Sequence, residues 1–211
     1  MLKVDQLVQF HERALRTPGW PAAAADAGSV SEDPALSAAI VRNHQCNAGL
    51  WREEDQARRR DVPADHIVIS KRRIDALNQQ RNDAVEQIDD ALLSLLASRP
   101  PQAGARLHSE TPGAMMDRLS ILSLKIFHMG LQRDRDDVEA VHIARCGEKL
   151  HRLRVQRRDL AGCLKSLLDE LRTGRACFHA YRQFKMYNDP ALCPWLNAQA
   201  TMPTDPSRNG V

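Results

Sequence analysis

The stretch Lys71–Asp89, KRRIDALNQQRNDAVEQID, constrains this chain most, because it reads as one long helix with two distinct faces. At about 100° per residue, Lys71, Asp75, Asn78, Asn82, Glu86 and Asp89 fall within about 60° of one line. The apolar residues Ile67, Ile74, Leu77, Ala84, Val85, Ile88, Leu92 and Leu95 occupy the adjoining face, with Arg81 near its middle. A helix that needed only solubility would scatter its charges. This one aligns two carboxamides, three carboxylates and a lysine, and turns a guanidinium toward the core. The pattern is that of a binding or catalytic wall, and it names no reaction.

The remaining segments follow the same periodicity. A first helix spans about 3–16 and stops before Thr17-Pro18-Gly19. A second runs to about Arg59 from Asp33 as N-cap and Pro34 at the first helical position. The long helix covers about 64–98 and ends at Pro100-Pro101. Thr111-Pro112 repeats the cap-and-proline signal and opens a helix to about Asp134. A second long helix covers about 136–173, with Leu150, Leu153, Leu160, Leu164, Leu167 and Leu171 on one face and Gly174 as its stop. A sixth helix is expected over about 175–187, and a mobile tail from 198 onward.

Only 4% of the 211 residues are aromatic and β-branched alternation is rare, so the class is all-α. Long helices on short loops predict a single-domain antiparallel bundle of about five to six helices, two of them long, over residues 1–197. Five widely spaced cysteines with no Cys-x-x-Cys pair imply reduced thiols and a cytoplasmic setting. The amphipathic start MLKVDQLVQFHERALR is unlike a signal peptide, and no apolar run reaches the length of a membrane span.

Three further helices carry chemistry-bearing residues. In the second, His44, Asn47, Trp51 and Asp55 share a face; Trp51 could floor a pocket and His44 could move protons near neutral pH. The alternative is a core tryptophan with a hydrogen-bonded histidine. The helix 112–134 is apolar almost all round and so belongs at the centre of the bundle. Asp117 and His128 share one of its faces, and Arg118 and Lys125 an adjacent one. Arg157 lies at the edge of its leucine stripe, as Arg81 lies within its own. Two inward arginines call for internal carboxylates such as Glu86 and Asp117, or for a ligand phosphate or carboxylate.

Two other chemistries are set aside. Glu139-x-x-His142 and Glu148-x-x-His151 resemble half-sites of a di-iron bundle, yet both lie on one helix about 180° apart and cannot converge. No metal is expected, and no cofactor is specified. The net charge of +3 and basic runs interleaved with acids describe solvated faces rather than a nucleic-acid surface. Phosphate-binding glycine loops and nucleophile-elbow motifs are absent.

The blocks HQCNAGLWREEDQAR (44–58), KRRIDALNQQRNDAVEQID (71–89), SETPGAMMDRLSILSLKIFHM (109–129), KLHRLRVQRRDL (149–160) and YRQFKMYNDPALCP (181–194) resemble those of a bacterial family known only as domain-of-unknown-function family 4254. Where that family usually has Phe after the Asn and His after the Trp of the first block, this chain has Ala48 and Arg52. The resemblance implies an all-helical protein whose genes tend to sit among those for cell-surface glycans, and no reaction. It adds Tyr181 and Lys185 to the residues of interest.

Two readings follow. In the first, a polar pocket at the bundle centre binds a small anionic or sugar-like metabolite. Arg81 and Arg157 clamp the anion, and Asn78 and Asn82 read hydroxyls. Glu86 or Asp117, with His44 or His128, supplies acid–base chemistry; Asn47, Trp51, Asp55, Lys71, Asp75, Arg118, Lys125, Tyr181 and Lys185 complete the lining. In the second, the chain is a non-catalytic adaptor or homodimeric scaffold whose polar residues are internal ion pairs. Asn78, Gln79 and Asn82 favour the first, since carboxamides read hydroxyls better than they balance charges.

Overall fold

The computed structural model describes residues 2–22, 30–182 and 192. Five helices follow in order: α1 (Val4–Arg16), α2 (Pro34–Ala57), α3 (Ala64–Leu96), α4 (Pro112–Arg133) and α5 (Ala140–Arg172). Two short strands, β1 (Arg106–Leu107) and β2 (Ala176–Cys177), pair in parallel. The chain divides into two units, Met1–Ala180 and Tyr181–Val211, and the all-α bundle is the first. Among the described residues no helix is long and apolar enough to cross a membrane.

Helix starts obey the local chemistry. The Asp33 carboxylate accepts from the Leu36 N–H at 2.7 Å and the Thr111 hydroxyl from Ala114 at 3.2 Å, each followed by proline where the helix has no N–H to lose. Helix α5 ends in a Schellman turn. Gly174 sits at φ 72°, its N–H bonds Leu171 O at 3.1 Å, and Arg175 N–H reaches back to Glu170 O at 2.9 Å.

That turn also corrects the expectation of a sixth helix over 175–187. Arg106 N–H bonds Arg175 O and His108 N–H bonds Cys177 O, at 2.9 and 2.8 Å, so carbonyls a helix would have used serve a strand ladder. Residues 175–182 contain no helix, and 183–187 lie outside the described residues, as does the expected tail.

Helix α4 packs against each of the other four helices, the central position its apolar circumference requires. Around it lie Leu7 and Phe10 of α1, Leu36 and Ile40 of α2, Ile88 of α3, and Leu164 and Leu167 of α5, all at most 2% exposed. Each such side chain stabilises the fold by roughly 1.5–3 kcal/mol.

The polar line of α3 runs from water into this core. Lys71 and Asp75 are exposed and paired with each other; Asn78 and Glu86 are half-buried; Asn82 and Asp89 are buried. The gradient has a steric cause where α4 begins against the end of α3. An added Cβ on Gly113 would stand 2.6 Å from Val85 O and 2.8 Å from Asp89 Oδ1. Only glycine allows that approach, and it lets Asp89 Oδ1 accept the Gly113 N–H at 2.7 Å. A buried carboxylate thereby satisfies an N–H that the helix start leaves unbonded.

Candidate functional site

Two polar assemblies flank α4, and they differ in whether they leave room for a guest. The first is closed. Asn43 and Asn47, one turn apart on α2, both donate to Asp117 Oδ1 at 2.8 Å. Asn47 Nδ2 also donates to Ser120 Oγ at 3.0 Å. His44 Nδ1 lies 2.7 Å from Ser120 Oγ, and its Nε2 lies 3.2 Å from His11 O.

A carbonyl only accepts, so Nε2 carries the proton and Nδ1 accepts the Ser120 hydroxyl. The chain of donors therefore runs from Asn47 through Ser120 and His44 to the His11 carbonyl. Burial pushes the His44 pKa down to about 4, opposed by its bond to His11, so the ring is neutral. The His11 ring lies 4.5 Å from it and is likewise held well below its ordinary value, first by burial and then by His44 and Arg157. Neither nitrogen of His44 is open to a guest.

The second assembly is an open cleft of about 580 Å³ between α2, α4 and α5. Its wall is a stack of Trp51 on His128, with ring centroids 4.3 Å apart and planes 5° from parallel. Lys125 of α4 and Lys149 and Arg152 of α5 line it, with Asp55, Gln132 and Gln156 as polar partners and Met129 and Leu153 as apolar floor. Among the described residues neither lysine has a carboxylate within ion-pair distance; Arg152 meets Glu148 at 3.6 Å and Asp55 meets Arg58 at 3.3 Å. Burial lowers the His128 pKa, Asp55 opposes this and Arg52 adds to it, so the stacked imidazole is neutral at pH 7.

The structure thus brings together Trp51, Asp55, Lys125 and His128 from the sequence-derived set. It gathers His44, Asn47 and Asp117 separately, bonded to one another. Arg81 and Arg157 do not share a cavity. Arg157 bonds Glu12 at 2.6 Å and faces a groove between α1 and α5, while Arg81 faces a space with Asn78 between α2, α3 and α4. Asn82 is buried beside Arg81, at 3.5 Å from Nη2. Glu86 is half-buried on α3 and lines neither space. Arg118 Nη1 donates to both carboxylate oxygens of Glu110, at 2.7 and 2.9 Å, on the surface, and Lys71 and Asp75 are spent on each other. Tyr181 lies in the second unit and Lys185 outside the described residues.

Sequence reasoning missed Asn43, Ser120 and His11 in the closed network, and Lys149 and Arg152 in the cleft. Asn43 was within reach, standing one turn before Asn47 on the same face, and Ser120 stands three residues after Asp117 on α4. Lys149 and Arg152 gave no signal, being two cations in a run of many.

Among the described residues no group of three or more His, Cys, Asp or Glu could hold a metal ion. The family model described as protein of unknown function, DUF4254, matches residues 37–180. No curated protein and no solved structure matches the chain.

Proposed function

The chain belongs to the DUF4254 family, whose description assigns no activity, and from the site alone we propose that it binds a small anionic or sugar-like metabolite in the α2–α4–α5 cleft. The observation that supports this most is the flat Trp51–His128 wall in one cleft with two lysines that, among the described residues, have no carboxylate within ion-pair distance. An indole face packs against the C–H surface of a sugar or against another ring, and lysines attract phosphate or carboxylate. A cleft of about 580 Å³ suits a ligand of metabolite size. Gln132 and Gln156 can read hydroxyls. The neutral His128 imidazole, with Asp55 near it, is able to accept a proton from a bound hydroxyl, which gives an enzymatic version of this reading its base.

The adaptor reading draws on a different observation. The Asn43–Asn47–Asp117–Ser120–His44 network satisfies itself, as a structural device would.

Calorimetric titration with glucose 1-phosphate, glucose and inorganic phosphate separates the two. The ligand reading expects the anionic sugar to bind, and Lys125→Gln with Lys149→Gln to weaken it at least about tenfold, the equivalent of one charge-assisted hydrogen bond. No heat with any of the three, or full binding by the double variant, would remove it.

A further inference from the structure

Behind Trp51, on the α3 side, lies a smaller space of about 280 Å³ lined by Asn47, Trp51, Asn78 and Arg81, together with Glu54 and Arg58. Arg81 is half-buried there, and among the described residues no carboxylate stands within ion-pair distance of it. Glu54, the carboxylate among the lining residues, pairs with Arg58 at 3.2 Å, and Asp117 on α4 accepts from Asn43 and Asn47. Among the described residues the guanidinium's one hydrogen-bond partner is Asn82 Oδ1, at 3.5 Å from Nη2, the limit of a hydrogen bond, and its Nε is buried with no acceptor.

A cation withdrawn from water needs a counter-charge, and a buried N–H needs an acceptor. Here the described residues supply neither to Arg81 Nε. Nε and Nη2 form the side-on edge of the guanidinium, the edge that grips a carboxylate or phosphate through two parallel N–H···O bonds. We propose that this space is an oxyanion subsite in which Arg81 takes a phosphate or carboxylate group and Asn78 donates to it. The inference builds on the ligand reading of the cleft in one respect. Trp51 walls both spaces, so the ligand expected to use both is a metabolite with two separated acidic groups.

The test follows two resonances in the folded parent chain while inorganic phosphate is titrated in. One is the Arg81 Nε–H signal, assigned with Arg81→Lys; the other is the His128 ring, which lines the cleft and not the subsite. The expected result is a saturable Arg81 shift that persists in Lys125→Gln/Lys149→Gln and weakens at least about tenfold in Asn78→Leu. An Arg81 signal that stays still while His128 responds overturns the subsite and leaves the cleft. An Arg81 response without a His128 response supports the subsite and counts against the cleft. If neither moves, or if the Arg81 shift only grows linearly with salt, the subsite falls.

Discussion

Acidification should weaken this fold through its buried histidines, by an amount that His44 allows to be worked out. In the folded chain burial holds His44 near a pKa of about 4, whereas an unfolded histidine titrates near its ordinary value of about 6.5. The folded pKa is the lower one, so the unfolded state binds the extra proton. The stabilisation is therefore complete above about pH 6.5 and is lost as the pH falls toward 4. At pH 5 the unfolded histidine is protonated and the folded one is not. That gap of about 1.5 pH units corresponds to about 2 kcal/mol.

His11, also held well below its ordinary value, adds a loss of the same sign. Asp89 opposes it, because burial raises its carboxyl pKa, so its contribution is present at acid pH and lost as the pH rises through the folded value. Urea unfolding at pH 8, 6.5 and 5 measures the sum. His44→Gln should remove about 2 kcal/mol of the pH dependence, whatever it does to the stability at pH 8. Parallel profiles for parent and variant would refute the assignment of a neutral, sealed His44.

Three further outcomes follow from named contacts. Gly113→Ala should cost about 2 kcal/mol or more, since its methyl would meet the Val85 backbone carbonyl at 2.6 Å and the Asp89 carboxylate, which is bonded to the Gly113 N–H, at 2.8 Å; chemical denaturation measures it. Asn47→Leu should lower stability by about 2–4 kcal/mol, because it strips a donor from Asp117 and from Ser120 inside the core, and a denaturation midpoint near that of the parent would contradict the network. Arg81→Met should change stability by less than about 1 kcal/mol, because no internal carboxylate is left unpaired; a loss of several kcal/mol would mean that the arginine is a structural cation after all.

The helices were legible because their signals are local. Asp33-Pro34 and Thr111-Pro112 mark starts through caps that the next turn alone determines, and Gly174 marks a stop through its own φ. The segment after Gly174 was misread because its partner is β1, some seventy residues earlier, and no periodicity within 175–187 records that pairing. The site was legible only in part for a related reason. Helical spacing shows which residues share a face, so the grouping of His44 with Asn47 could be expected, whereas His128 was placed with Asp117 and apart from Lys125, and the structure sets it beside Lys125 instead. Spacing does not show which neighbouring helix a face meets. Asp117 therefore turned out to be consumed by two asparagines, and Arg157 by Glu12 of α1, while Trp51 was drawn onto His128.

The claim on which the functional account turns is that the Trp51–His128 cleft accepts an anionic sugar. Its most direct measure is the indole N–H resonance of Trp51, assigned by Trp51→Phe and followed by NMR as glucose 1-phosphate is added. A saturable shift in the parent, absent in Lys125→Gln/Lys149→Gln with the fold intact, is the predicted result. A resonance unmoved at about 10 mM ligand, a concentration that would reveal even millimolar affinity, would contradict it.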